Sequence, residues 1–132
     1  MDTKTDTRSQ IKAVNKTLKE GEPNNYSTDH KGYKGYKPQA VIDAINMQFL
    51  GEWSLEVTDF STYPTKNRKG ETINNAFVKV RLTLLGQVVE TFASHPMNED
   101  PGDAFKSAET DAMKKAFAHF SIGNRAYHGL LK

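Results

Sequence analysis

Strict alternation of apolar and other residues from Ala76 to Leu84 is the feature that most constrains the fold of this chain. One face of this segment carries only apolar side chains: Ala76, Val78, Val80, Leu82 and Leu84. The opposite face carries the cations Lys79 and Arg81. A period of two is the signature of a β-strand that buries one face, so the segment predicts a half-buried strand with a basic outer face.

Two further strands are predicted on either side of this one. Gly86 with Gln87 indicates a tight turn into a strand over Val88–Ala93, which gives an antiparallel hairpin. Upstream, a period of two over Glu52–Thr58 predicts another half-buried strand. The residues between the first two strands, STYPTKNRKGETINN, are interpreted as a long basic connection.

Helices are predicted before and after the strands. Pro38 in a first turn and Gly51 after the last apolar residue bound a helix in which apolar residues recur about every 3.6 positions. Asp100 as N-cap and Pro101 at the first helical position begin a long final helix, expected to end near residues 121–123. The fold class is therefore α+β, in the order α, α, β, β, β, α, with an antiparallel sheet packed on a long helix.

The N-terminal region is more polar than the rest, and the 132 residues are enough for one domain. Ile11, Val14 and Leu18 predict a short amphipathic helix after a disordered tip over residues 1–6. We therefore interpret residues 1–24 as a polar arm and residues 25–132 as the functional domain.

Composition excludes several classes of protein. The chain has no Cys, which removes disulfides and thiolate metal sites and makes a reducing cytoplasm the simplest location. It has no apolar run long enough for a secretory signal or a membrane span, so no membrane partner is expected. The formal net charge is only +2, so a surface for nucleic acid must come from local clusters of cations.

Two loops carry such clusters. The segment HKGYKGYK, residues 30–37, interleaves lysines with Tyr33 and Tyr36, a mixture suited to phosphate contacts beside base stacking. The alternative is a Gly-rich loop whose tyrosines cover the edge of the core. The cations of the strand connection, Lys66, Arg68 and Lys69, leave the same two readings open.

Two adjacent lysines of the final helix point in different directions. At about 100° per residue, Lys114 falls opposite the centre of the apolar stripe and Lys115 lies on its flank. Glu109 falls among the apolar residues, where it needs either a partner or an edge position that reaches solvent. Taken alone, the two lysines are more typical of a solvated helix face than of a binding site.

An enzymatic reading is disfavoured. A metal-dependent nuclease would gather carboxylates, but Asp100 and Asp103 already have a capping role, and the histidines lack the spacing of metal ligands. The phosphate-binding motif GxxxxGK[ST] is absent, which argues against an ATP-driven recombinase. We expect no catalytic residue, no metal site and no cofactor.

Three blocks of sequence resemble the annealing domain of the RAD-fifty-two family, in the same order. They are YKPQAVIDAINMQFLGEW, AFVKVRLTLLG and AFKSAETDAMKKAFAHF, and the similarity spans about residues 30–124. The resemblance implies a β-β-β-α core whose subunits assemble side by side into a homo-oligomeric ring. It also implies single-stranded DNA in a positively charged groove, and annealing of complementary strands in homologous recombination or double-strand break repair without ATP.

The resemblance also implies roles for individual residues. Lys114 matches an inner-groove lysine that holds the phosphate backbone, and Lys106 matches a basic residue earlier on the same helix. Lys115 matches the neighbouring basic residue, and Lys69 is a looser match to an outer site. A single-strand-binding protein is a candidate partner, and a nucleoid-associated cytoplasmic location, or the host cytoplasm for a phage protein, is expected.

This sequence departs from the family pattern at two positions. Tyr26 or its polar neighbours stand near the place of an inner-groove arginine, and His95 stands where an outer-site lysine is expected. Lys31, Lys34 or Arg81 are candidate substitutes. The complete set of expected DNA contacts is Lys31, Lys34, Tyr36, Lys66, Arg68, Lys69, Arg81, Lys106, Lys114 and Lys115.

A double-stranded RNA-binding module is the main alternative, because it shares the order α, β, β, β, α and a lysine pair on the final helix. That module needs the lysines near the start of the helix. Here Lys114 and Lys115 lie more than three turns beyond Asp100, behind an acidic first turn that would repel phosphate groups.

Overall fold

The computed structural model describes residues 3–28, 32–97 and 100–131, which form four helices and five strands within those ranges. In chain order they are α1 (Thr3–Glu20), β1 (Tyr26–Thr28), β2 (Lys34–Tyr36), α2 (Pro38–Phe49), β3 (Trp53–Lys66), β4 (Thr72–Leu84), β5 (Gln87–Pro96), α3 (Pro101–Ala118) and α4 (Asn124–Tyr127). The backbone divides into two compact units, one from segments 1–53 and 117–132 and one from segment 54–116. No helix in the described ranges is long and apolar enough to cross a membrane.

The second unit contains the three-stranded antiparallel sheet, in the order β3-β4-β5. β4 and β5 pair from Asn75↔Pro96 to Leu84↔Gln87. The turn between them is Leu85–Gly86, one residue earlier than predicted, and both residues have positive φ, 56° and 73°. Those angles suit the two-residue hairpin turns whose twist matches that of the strands.

The inner face of β4 is buried, as the alternation predicts. Its five apolar side chains are at most 3% exposed: Ala76, Val78, Val80, Leu82 and Leu84. The sheet packs on α3, which buries small side chains such as Ala108 and Ala112. Burial of apolar surface contributes about 25 cal/mol per Å², so this layer stabilises the packing of α3 on the sheet.

The expected long connection between the first two strands is wrong. β3 continues to Lys66 and β4 begins at Thr72, so the connection shortens to a tight turn over residues 67–71. Asn75 supports this extension because its amide donates to the carbonyl of Tyr63, at 3.3 Å, and to the hydroxyl of Thr65, at 2.9 Å. The extension was missed because both faces of residues 61–66 are exposed, which leaves no apolar alternation to detect.

The first unit is built on α1 and α2. Val14 and Leu18 of α1 are fully buried, as are Ile45 of α2 and, within 1%, Phe49. α1 begins at Thr3, so the expectation of a disordered tip over residues 1–6 is wrong for residues 3–6, while residues 1–2 lie outside the described residues. The N-terminal helix is thus part of the compact unit.

Three other elements of the first unit were not predicted. β1 and β2 form a small antiparallel ladder with Tyr26 opposite Tyr36, in a segment expected to be a loop. α3 ends at Ala118, earlier than predicted, and α4 follows. The reversal between the two helices uses the left-handed residues Ser121, with φ 61°, and Gly123, with φ 77°.

Candidate nucleic-acid interface

Lys114 lies near the C-terminal end of α3 and is half-buried rather than fully exposed. Burial lowers the pKa of its ammonium group from the usual value, and the negative charge of Asp111 opposes that shift. Among the described residues, no carboxylate forms an ion pair with this ammonium group. Binding of an external anion to a partly desolvated cation of this kind is therefore favourable.

Lys115 is exposed and projects in another direction. Its Nζ donates a hydrogen bond to the backbone carbonyl of Phe92 in β5, at 3.3 Å. The same strand holds the helix through Thr91, whose hydroxyl donates to the carbonyl of Ala112 at 2.6 Å. Lys106 lies exposed earlier on α3. The structure therefore brings three of the expected DNA contacts together on one helix that the sheet positions.

Arg81 also lies where the sequence places it, on the outer face of β4, but it is already paired. Glu90 of β5 accepts from the Arg81 guanidinium at 2.9 Å and lies 2.9 Å from Lys79 Nζ. Hydrogen bonds from Lys79 and then Arg81 hold the pKa of the Glu90 carboxyl below its usual value. Two cations and one carboxylate leave this face much less basic than the alternation alone suggests.

The basic residues of the strand connection lie at the tip of the β3–β4 hairpin. Lys66, Arg68 and Lys69 are all exposed. The Asn67 side-chain oxygen accepts from the backbone amides of Lys69 and Glu71, both at 2.9 Å, and the amide of Asn67 donates to the Glu71 carbonyl at 3.0 Å. These bonds give the cations an ordered turn to project from.

The first unit carries the other expected contacts. Lys34 is exposed, and its Nζ lies 5.7 Å from the centre of the Tyr26 ring. Tyr36 is only 3% exposed. Its ring carbon Cδ2 lies 3.7 Å from the position that a Cβ atom on Gly123 would occupy. Base stacking by Tyr36 is therefore not supported, because its ring covers the core as the alternative reading had it. Lys31 lies outside the described residues.

Sequence reasoning assigned no role to one polar pair. His95 of β5 and Asp111 of α3 lie together, with His95 Nε2 2.5 Å from Asp111 Oδ2. Glu109, which needed an explanation, reaches solvent. Within the described ranges, no group of three or more His, Asp or Glu side chains is placed to hold a metal ion.

Comparison with known proteins decides the family. Residues 9–129 match the family described as Rad52/22 family double-strand break repair protein. The chain belongs to the Rad52/22 family. It is also 31% identical, over 98 residues, to "DNA repair RAD52-like protein 1, mitochondrial" of Arabidopsis thaliana. That alignment covers 70% of this chain and 52% of the relative, so the chain spans about half the length of the curated relative it matches.

Membership in the Rad52/22 family confirms the resemblance seen in the three sequence blocks. The description of that family names double-strand break repair. The individual DNA contacts on α3 and on the hairpin tip stay predictions, which rest on the geometry described above.

Proposed function

We propose that this Rad52/22 family chain binds single-stranded DNA through the lysines of α3 and anneals complementary strands without ATP. The observation that carries the proposal is Lys114, a half-buried ammonium group without an ion pair among the described residues. A DNA phosphate supplies a direct ion-pair partner for this ammonium group. Charge-assisted hydrogen bonds to phosphate are about twice as strong as neutral ones, and partial burial limits competition from water.

Two other exposed cations of the second unit are placed to contact a second DNA strand. Lys115 is directed toward the carbonyl of Phe92, away from the position of Lys114 on the helix. Lys69 projects from the ordered hairpin tip. Annealing requires that the protein hold one DNA strand while it samples another. Lys114 would hold the first strand, and Lys115 and Lys69, which point elsewhere, would contact the second.

Contacts to phosphate have consequences for specificity. They leave the base edges free to pair, so binding tolerates any sequence and weakens as salt concentration rises. The annealing reaction then takes its specificity from Watson–Crick pairing between the strands, and the protein supplies only a template for the backbones.

We also propose that the chain works as a closed homo-oligomer. The three-stranded sheet ends in two edge strands, β3 and β5, and edge strands present backbone groups that neighbouring copies can pair with. Light scattering coupled to size exclusion measures the mass directly. A large, uniform oligomer supports the proposal, and a monomer of 14.8 kDa contradicts it.

The binding proposal is tested by fluorescence anisotropy with a labelled oligothymidine strand and unlabelled competitors. Single-stranded DNA of any sequence should compete well and RNA duplex poorly. Preferential competition by RNA duplex would overturn the proposal in favour of a double-stranded RNA-binding module. Annealing of complementary labelled strands should proceed with EDTA present and no nucleotide added, while strand cleavage dependent on a divalent metal would indicate a nuclease instead.

Variants of the second-strand residues separate binding from annealing. Lys69→Ala and Lys115→Ala are expected to change the affinity for one strand by less than about twofold, since exposed surface charges contribute little. They should nevertheless slow annealing, measured as the rate at which a fluorescence donor and acceptor on complementary strands come together. An annealing rate unchanged in both variants would remove these residues from the second path.

A further inference from the structure

We propose that Asp111 is the counter-charge of Lys114 in the DNA-free protein, and that His95 holds Asp111 in place. The pair then sets how tightly the strand is bound, with the Asp111 carboxylate repelling the phosphate that Lys114 attracts. This inference rests on the proposed function of Lys114.

The geometry brings the three groups together across two elements. Asp111 and Lys114 lie three positions apart on α3, a spacing that places side chains on the same side of a helix. His95 reaches Asp111 from β5, with Nε2 2.5 Å from Oδ2. An ionised carboxylate only accepts hydrogen bonds, so the contact is favourable for the His95 tautomer that carries a proton on Nε2. The carboxylate is therefore held by the sheet, not only by its own helix.

Solvent reaches both members of the pair, so the Asp111 carboxylate can act on a ligand outside the protein as well as on groups within it. The side chains of His95 and Asp111 are 38% and 46% exposed. The carboxylate favours the charged form of Lys114, which burial disfavours. It does so without forming an ion pair, which leaves the ammonium group available to a phosphate.

A strand bound at Lys114 must bring its phosphate close to the Asp111 carboxylate. Like charges repel, and the repulsion is stronger where the site is partly shielded from water. This repulsion limits the affinity for the bound DNA strand. Limited affinity is useful because a protein that anneals strands has to release the duplex product. His95 limits this repulsion because its hydrogen bond draws the carboxylate toward β5 and away from direct pairing with Lys114.

The decisive comparison is Asp111→Asn against Glu109→Gln. Both substitutions remove one negative charge from α3, but the side chain of Glu109 is exposed and forms no hydrogen bond or ion pair with any residue of the ranges that the structure describes. Asp111→Asn should bind labelled single-stranded DNA roughly threefold to tenfold more tightly, with a slower dissociation rate, from the size of a local charge repulsion. Glu109→Gln should change the affinity by less than about twofold. Equal effects of the two variants, or weaker binding by Asp111→Asn, would overturn the inference.

Three His95 variants test whether it acts through Asp111. His95→Ala releases the carboxylate to pair with Lys114 and should weaken strand binding about threefold, while His95→Gln keeps a donor and should restore most of the affinity. In the Asp111→Asn background, His95→Ala should have no effect on binding. An effect of His95→Ala that persists in that background would show a merely structural role and contradict the inference.

The outcomes for the two proposals are distinct. Failure of the wild-type protein to bind single-stranded DNA contradicts the proposed function. Normal binding by the wild type, with no tightening in Asp111→Asn, contradicts this inference alone. Thermal unfolding of each variant verifies that the folded state is retained, and His95→Gln provides a readout that is independent of the Asp111 substitution.

Discussion

The second compact unit presents its cations in two different ways. On the outer face of the sheet, Lys79 and Arg81 share the carboxylate of Glu90 at 2.9 Å. On α3, Lys114 is half-buried and has no ion pair among the described residues. Cations of the same unit therefore differ in how strongly we expect them to bind phosphate. A cation that already pairs with a fixed carboxylate gains less from a second anion.

The register of one hairpin accounts for this difference. With the turn at Leu85–Gly86, Arg81 lies opposite Glu90. A turn one residue later, as predicted from the sequence, would place Arg81 opposite Phe92 and leave it without a counter-charge. Moving the turn by one residue moves each cross-strand partner by two positions, so the ion pairs of a strand face cannot be assigned from sequence before the turn is placed correctly.

The largest effect is expected for Lys114→Ala. Loss of a partly buried, charge-assisted phosphate contact should weaken binding of a single strand roughly tenfold to a hundredfold. Anisotropy titrations at constant salt measure this change. The matched control is Lys12→Ala, an exposed helical lysine of α1, which should change the affinity by less than about twofold. Equal losses in the two variants would contradict a specific role for Lys114.

A cation of the first unit extends the comparison to stability. Arg125 donates to both carboxylate oxygens of Glu22, at 2.9 Å and 3.3 Å, and Glu22 is only 9% exposed. Burial raises the pKa of the Glu22 carboxyl, but hydrogen bonds from Tyr26 and Arg125 outweigh it, so the net pKa lies below the usual 4.5. Glu22→Gln should therefore lower the free energy of unfolding by about 1–2 kcal/mol at neutral pH while sparing DNA binding.

The pH dependence of this effect has a fixed sign. A carboxyl whose pKa is lower in the folded state stabilises the protein above its unfolded pKa, and this contribution is lost as pH falls through the folded pKa. The difference in unfolding free energy between the wild type and Glu22→Gln should thus be largest near neutrality and shrink below about pH 4.5. Urea titrations at several pH values measure it, and a difference that grows on acidification would be inconsistent with the assigned ion pair.

A smaller effect is expected when the sheet-face cations are released. Glu90→Gln removes the charge shared by Lys79 and Arg81 and should tighten DNA binding by no more than about threefold at low salt, through long-range attraction that salt screens. Glu20→Gln is the matched control, because Glu20 pairs with a single exposed lysine of α1. Tightening of tenfold or more by Glu90→Gln would reveal the sheet face as a second binding surface and break the comparison.

Much of the fold was predictable because its signals are local. Asp100 accepts the amide of Gly102 at the start of α3, at 2.8 Å, as its capping role predicts. The alternation of β4 identified the buried face because one side of that strand is wholly apolar. The family resemblance then supplied candidate residues that composition could not, since the net charge is only +2.

The features that escaped prediction depend on distant parts of the chain or on unusual backbone. Leu85 adopts a positive φ, which non-glycine residues seldom do, and this hid the true turn. β3 continues through Pro64 along an edge of the sheet, a position that tolerates proline. The contact between His95 and Asp111 joins a strand to a helix, so no spacing in the sequence announces it.

The salt dependence of strand binding tests the account most directly, because its slope counts phosphate contacts. Each contact to single-stranded nucleic acid contributes about 0.7 to the slope of log affinity against log salt concentration. Lys114→Ala should lower the magnitude of that slope by about 0.7, while Arg81→Ala, whose cation is already paired with Glu90, should leave it unchanged. A slope unchanged in Lys114→Ala and reduced in Arg81→Ala would contradict the account.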